Sequence, residues 1–186
     1  MTCIIGTWDV DGTVILGADS QQSGSRRPAM KLWYEGHAII GGAGDASLIR
    51  WLQDHPAEGL SEADAAAWCW AYLERLRSRA GDVGLLRDGV QGTRFTGTDL
   101  LVGLAGRLFV LYDGVRVEEI QRSDAVVAIG DPTAGEAAYF AAIAGGATPG
   151  EVALEMALRA VCRVSADVGG PIVVRRALSF VVGRAP

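Results

Sequence analysis

Two apolar runs near the N-terminus, Thr2–Trp8 and Thr13–Ala18, are separated by Asp9-Val10-Asp11-Gly12. An Asp-Gly step between β-rich runs predicts a tight hairpin, because glycine supplies the positive φ that such turns need. Ile4-Ile5 and Val14-Ile15-Leu16 are continuous rather than alternating, the pattern of strands covered on both faces. The polar stretch Ser20–Pro28 reads as a loop. Lys31–Tyr34 and His37–Gly42 predict a second strand pair turning at Glu35-Gly36. Gly41-Gly42-Ala43-Gly44 then leads into a helix over about Asp45–Asp54.

A further helix is predicted over about Ser61–Arg79. Ala65, Trp68, Cys69, Tyr72, Leu73 and Leu76 fall on one stripe at helical spacing, and Ser61 with Asp64 has the spacing of a capping box. Gly81–Gly97 reads as a glycine-punctuated connector. Asp99–Leu104, Leu108–Tyr112, Val115–Ile120 and Ala125–Ile129 form a meander with turns at Gly106 and Asp113-Gly114. A helix over Thr133–Ala144, capped by Thr133 and Glu136, stops at Gly145-Gly146. The next opens at Thr148-Pro149-Gly150-Glu151, read as N-cap, first-turn proline and capping-box acid. Ile172–Arg175 and Leu178–Val182 close the chain as strands. Separated runs of strands and helices, in the order ββββ-αα-ββββ-αα-ββ, indicate α+β layers rather than alternating βα units.

Composition narrows the function classes. The 186 residues are 49% hydrophobic and 21% charged, the balance of a globular chain, and the length suits a single domain over 1–186. A net charge of −5 without a basic run disfavours nucleic-acid and anionic-membrane binding. No apolar run approaches the roughly 20 residues that span a bilayer. The N-terminus lacks the basic and cleavage regions of a signal peptide, so a cytoplasmic home is expected. Cys3, Cys69 and Cys162 are distant in sequence and form no C-x-x-C pair, and Cys69 and Cys162 read as small core residues. His37 and His55 lie in no metal or triad motif, so no metal or cofactor is expected.

Thr2 carries the main chemical interest. Removal of Met1 would expose a threonine whose own α-amine has an ordinary pKa of about 7.7–8.0, so one residue would supply both hydroxyl nucleophile and base. Read singly, Asp19 is a turn cap, Lys31 a solvated charge and Gly41–Gly44 a tight strand-to-helix link. Taken in order, Thr2, Gly17-Ala18-Asp19-Ser20, Lys31 and Ile39-Ile40-Gly41-Gly42-Ala43-Gly44 resemble the proteasome β-subunit family and its simpler bacterial relatives such as HslV. Asp99-Leu100-Leu101-Val102-Gly103, Ala128-Ile129-Gly130 and Val168-Gly169-Gly170-Pro171 follow in the family's order, so the resemblance spans nearly the whole chain.

That resemblance implies a four-layer αββα sandwich, the N-terminal-nucleophile hydrolase fold. It also implies a homo-oligomer of stacked rings that hydrolyses peptide or unfolded protein substrates, with an unfoldase ATPase as the partner that feeds them. Thr2 would be the nucleophile, Lys31 would lower the cost of forming its alkoxide, and Asp19 would hold Lys31 protonated. The Gly44 N–H would face the developing oxyanion. Ser20, Gly42, Ala46 and Arg50 would line the substrate site, the small Gly42 and Ala46 leaving room and Arg50 favouring acidic side chains.

Departures from the family bear on activity. The 12-residue interval from Asp19 to Lys31 is shorter than usual, which suggests a displaced Lys31. Asp131 stands where the family has a serine near the terminal amine. Val168 replaces another serine, and the nearby acid is either shifted to Asp167 or replaced by Ser165. A carboxylate at Asp131 would favour the ammonium form and push optimal activity to alkaline pH. The alternatives are a cap for the following helix, a catalytically silent ring subunit, and a nucleotide site built on Gly42–Ser47. The last lacks an acidic strand-end residue about 20 positions on and follows antiparallel hairpins.

Overall fold

A computed structural model describes residues 2–22, 25–28, 30–57, 64–88, 94–113, 115–165 and 168–178, with backbone alone at 21–22, 25–28 and 94–95. The first hairpin forms as its pattern dictates. β1 (Ile4–Trp8) and β2 (Val14–Asp19) pair antiparallel, with Ile4 opposite Ala18 and Trp8 opposite Val14. The turn closes through Asp9 N–H to the Thr13 carbonyl at 2.8 Å, with Gly12 at φ +86°. β12 (Val126–Ile129) adds beside β1 and β13 (Ile172–Arg176) beside β2, giving a four-stranded antiparallel sheet. The second sheet runs β11 (Arg116–Ile120), β10 (Arg107–Tyr112), β9 (Thr98–Leu104), β6 (Ala38–Gly44), β5 (Leu32–Glu35), also antiparallel throughout.

The continuous apolar runs have a direct structural cause. Ile4, Leu16, Ile39, Leu101, Leu108 and Val110 pack together between the two sheets. Ile5 and Ile15 point the other way, against α3 (Pro132–Ala144) and α4 (Glu151–Val164), where Tyr139, Leu154, Leu158 and Val161 cover them. On the far side, Ile40, Leu100, Val102 and Phe109 meet α1 (Ala46–Asp54) and α2 (Ala65–Asp82) through Leu48, Leu52, Trp68, Tyr72, Leu73 and Leu76. The layers therefore run α1α2, sheet, sheet, α3α4, the αββα sandwich that the resemblance implies. Each fully buried Leu or Ile in these three cores contributes about 1.5–3 kcal/mol.

Several local expectations are corrected. The stretch read as a loop over Ser20–Pro28 carries a short ribbon, β3 (Gln21–Gln22) with β4 (Ser25–Pro28). The connector Gly81–Gly97 holds another, β7 (Arg87–Asp88) with β8 (Arg94–Phe95). Such two-residue pairings leave no periodicity to read. Helix α2 starts later than predicted, capped by Asp64, whose carboxylate accepts from Ala66 and Ala67 N–H; Ser61 lies outside the described residues. Helix α3 is capped by Asp131 rather than Thr133, and Glu136 instead accepts from Ala128 N–H at 3.2 Å. Helix α4 is capped by Gly150 with no side-chain bond, so Thr148 and Glu151 form no capping box. Leu178 is not in a strand, and 179–182 lie outside the described residues.

Two thiols sit deep in this core. Burial pushes Cys69 up to about 12 from an ordinary 9.0, and Cys3 likewise, with the charge of Asp19 adding to it. Between pH 9 and 12 the unfolded chain loses these protons and the folded chain keeps them, so stability falls as pH rises through that window. The limiting slope is about 1.4 kcal/mol per pH unit for each thiol. Chemical denaturation at pH 8.5 and 10.5 is expected to show the loss, and Cys69→Ala to reduce its pH-dependent part.

Candidate active site

Asp19 ends β2 and is 1% exposed. A carboxylate buried this way needs donors on both oxygens, and the fold supplies them from three segments. Lys31 Nζ lies 2.8 Å from both Oδ1 and Oδ2. Cys3 N–H donates to Oδ1 at 3.0 Å and Gly169 N–H to Oδ2 at 3.2 Å. Asp19 N–H donates to the Cys3 carbonyl at 3.3 Å, so its side chain accepts the Cys3 N–H across the same strand pair. Lys31 is 7% exposed, and the short interval does not displace it from Asp19.

Thr2 is half-buried just before β1. The Cys3 N–H belongs to the Thr2–Cys3 peptide, so the ion pair is anchored one bond from the candidate nucleophile. Gly130 closes the other side at φ +83°; a β-carbon there would lie 2.1 Å from the Thr2 carbonyl oxygen, so only glycine fits. Gly44, the last residue of β6, has φ +131°, and a β-carbon on it would lie 2.2 Å from the Gly97 carbonyl. Just beyond it Asp45 caps α1, accepting from Ser47 and Leu48 N–H, which with the Ser47 hydroxyl hold its carboxyl below the usual range.

The remaining sequence-derived candidates divide. Ser20 is buried and its Oγ has no hydrogen-bond partner among the described residues. Gly42 is buried against α1, while Ala46 is exposed in the first turn of that helix. Arg50 is turned to solvent and lies 3.7 Å from Asp54. The Asp131 carboxylate accepts from Ala134 N–H at 3.3 Å, as a cap does. Ser165 is the C-cap of α4, and Asp167 lies outside the described residues. Val168 is buried in the apolar cluster under α4.

Gly130 and Gly169 were missed as site residues because they act through backbone geometry, for which a sequence has no side-chain signal. Among the described residues no three His, Cys, Asp or Glu side chains converge as a metal site, and no helix is long and apolar enough to cross a membrane. Within Gly42–Ser47, Gly42–Gly44 end β6 between antiparallel neighbours and Ala46 and Ser47 open α1, which is not the βαβ setting of a dinucleotide loop.

No protein-family model matches the chain, and no curated protein matches it in sequence. Solved structures do match in fold. The BPH protein of Thiobacillus denitrificans, solved in complex with epoxomicin, superposes with a TM-score of 0.72 at 16% identity over 95% of this chain and 100% of its own. HslV from Trypanosoma brucei gives 0.67 at 21% identity over 94% and 98%. Anbu from Pseudomonas aeruginosa, described as a helical assembly, gives 0.66 at 16% over 95% and 80%. The chain thus has the N-terminal-nucleophile hydrolase fold of proteasome-like proteins across nearly its full length.

Removing one member of a buried ion pair leaves an unpaired charge in the core, at a cost of about 3–5 kcal/mol. Lys31→Met is expected to lose that much stability in urea unfolding. Thr2→Ala, at a half-buried position outside the strand, is expected to change it by less than about 1 kcal/mol.

Proposed function

We propose that this chain is the threonine peptidase subunit of a homo-oligomeric, self-compartmentalising ring that cleaves peptides or unfolded proteins. The observation that carries the reading is the buried Asp19–Lys31 pair tied to the Thr2–Cys3 peptide through Cys3 N–H. After Met1 removal, Thr2 Oγ attacks the peptide carbonyl as its proton passes to the Thr2 amine. Lys31 is placed by Asp19 to stabilise the forming alkoxide, and Gly44 N–H to bind the oxyanion. Collapse of the tetrahedral species expels the peptide amine, which takes the proton, and leaves an ester on Thr2. Water, deprotonated by the Thr2 amine, then attacks the ester and releases the acid, the proton returning to Thr2 Oγ. No metal or cofactor takes part.

The assembly is supported by exposed apolar side chains on the outer helical layer. Phe140 on α3 and Val152, Met156 and Val164 on α4 are between 47% and 82% exposed, and the α4 members are spaced at multiples of four along one ridge. An enclosed chamber calls for a partner that feeds substrate, and an unfoldase ATPase in the cytoplasm fits that need.

A second reading, a catalytically silent ring subunit, is favoured by Val168. Val168 is buried in the apolar cluster under α4, and on the sequence resemblance it stands where the family has a serine near the amine. Intact mass together with peptide and casein hydrolysis separates the two. The peptidase reading expects loss of Met1 and a rate abolished in Thr2→Ala. Retained Met1, with equal rates in both proteins, leaves a scaffold.

Asp131 sets the expected pH dependence. A carboxylate near the amine raises the amine's pKa, and the base must be neutral to accept a proton, so kcat/KM should rise from pH 7 towards pH 9. Asp131→Ser is expected to move the rise to lower pH. A profile falling over that range would contradict the assignment.

A further inference from the structure

The alternation of β6 decides where its last amide points. Gly42 N–H donates to the Lys31 carbonyl at 3.0 Å, on the β5 side of the strand. Backbone N–H groups change side at each residue of a strand, so Gly44 N–H is aimed to the side on which Lys31 sits. Asp45 N–H, one residue on, points to the β9 side and donates to Thr98 Oγ1 at 3.1 Å. The backbone on each side of Gly44 is thereby held. Ala43 lies in register with Asp99 on β9, and the Gly44–Asp45 peptide is tied to the Thr98 hydroxyl.

Thr98 is itself pinned. It is 1% exposed, and the Thr96 hydroxyl accepts from Thr98 N–H and donates to the Thr98 carbonyl, both at 3.2 Å. Gly97 N–H donates to Asp113 Oδ1 at 2.5 Å, and Thr96 N–H to the Asp113 carbonyl at 3.0 Å. Asp113 N–H in turn donates to Asp99 Oδ1 at 2.8 Å. Asp113 takes the left-handed conformation, at φ +52°, to make these bonds. The turn so fixed brings the Gly97 carbonyl and Thr98 Cα to within 2.2 and 2.6 Å of where a β-carbon on Gly44 would stand. The network runs from the end of β10 through the start of β9 to Gly44, and none of its members is Thr2, Asp19 or Lys31.

We propose that Thr98 is a positioning residue for the oxyanion donor: its hydroxyl fixes the Gly44–Asp45 peptide, and Asp113 holds Thr98 in place through Gly97. The inference rests on the peptidase reading above. A donor aimed at developing charge is effective only if its direction is set beforehand, so a loosened Gly44 amide costs turnover rather than substrate binding. Were Thr98 a packing residue alone, valine of the same shape would serve as well.

The test measures kcat and KM for peptide hydrolysis by the full chain, together with inhibition by a peptide aldehyde. Thr2 Oγ adds to the aldehyde carbon as its proton passes to the amine, which leaves an oxygen at the oxyanion position. Thr98→Val keeps the shape and removes the acceptor, so kcat should fall about tenfold to a hundredfold with KM little changed. Affinity for the aldehyde should fall by a similar factor. Thr98→Ser retains the hydroxyl and should recover most of both. Asp113→Gly accommodates the positive φ and removes the carboxylate, so it should reproduce the loss and keeps the test intact if Thr98→Val fails to fold. An unchanged kcat in a folded variant, a loss confined to KM, or an equal loss in Thr98→Ser overturns the positioning role alone. A native rate equal to that of Thr2→Ala overturns the peptidase reading itself, and the positioning role with it.

Discussion

The buried Asp19–Lys31 ion pair is the constraint on which the two halves of the molecule converge. Asp19 belongs to the first sheet and Lys31 leads into the edge strand of the second, so the pair spans the interlayer that Ile4, Leu16, Ile39 and Leu101 fill with hydrocarbon. Hydrophobic contacts hold the sheets face to face but tolerate small slips. A charge pair with two backbone N–H donors tolerates none, because any displacement leaves a buried charge partly unpaired. The register of β1 against β2 and the entry angle of β5 are thereby fixed at one point.

That fixed point arranges the surrounding backbone. Cys3 N–H brings the N-terminal segment to Asp19, and Gly169 N–H brings the turn after α4 to the same carboxylate. Gly130 then lets a further segment approach the Thr2 carbonyl without side-chain obstruction, while Gly44 lies close against Gly97 and Thr98. Segments far apart in sequence, at Asp19, Lys31, Gly130 and Gly169, thus meet at the Thr2–Cys3 step and the carboxylate beside it, Gly130 and Gly169 through main-chain geometry. The αββα layering is what makes such convergence possible, since Asp19 at the end of β2 and Lys31 at the start of β5 belong to the two facing sheets.

Much of this was legible from residue pattern. The Asp-Gly turn, the doubly covered strands and the stripe on α2 define elements whose apolar periodicity allows few alternatives, and their grouping indicates α+β layers; the αββα order came from the family resemblance. Legibility failed where the information is not carried by hydropathy. The ribbons β3–β4 and β7–β8 are too short to have a period. The caps of α3 and α4 depend on which neighbour reaches a free N–H first, and Asp131, two residues before Thr133, holds the N-cap position while Thr133 lies inside the first turn. In the site, Asp19 and Lys31 were identifiable as charged residues in order. Gly130 and Gly169 were not, since their contribution is an amide or an absent Cβ.

The strand ladder takes hold at Cys3 and Ile4, leaving Thr2 just outside it. The atoms that secure the fold and the residue that would react are therefore adjacent but distinct. A chain of this kind can exchange or mask its first residues while every layer stays in register. Loss of catalysis in such a lineage would leave an intact building block, and the same architecture can persist as enzyme or as scaffold without being rebuilt.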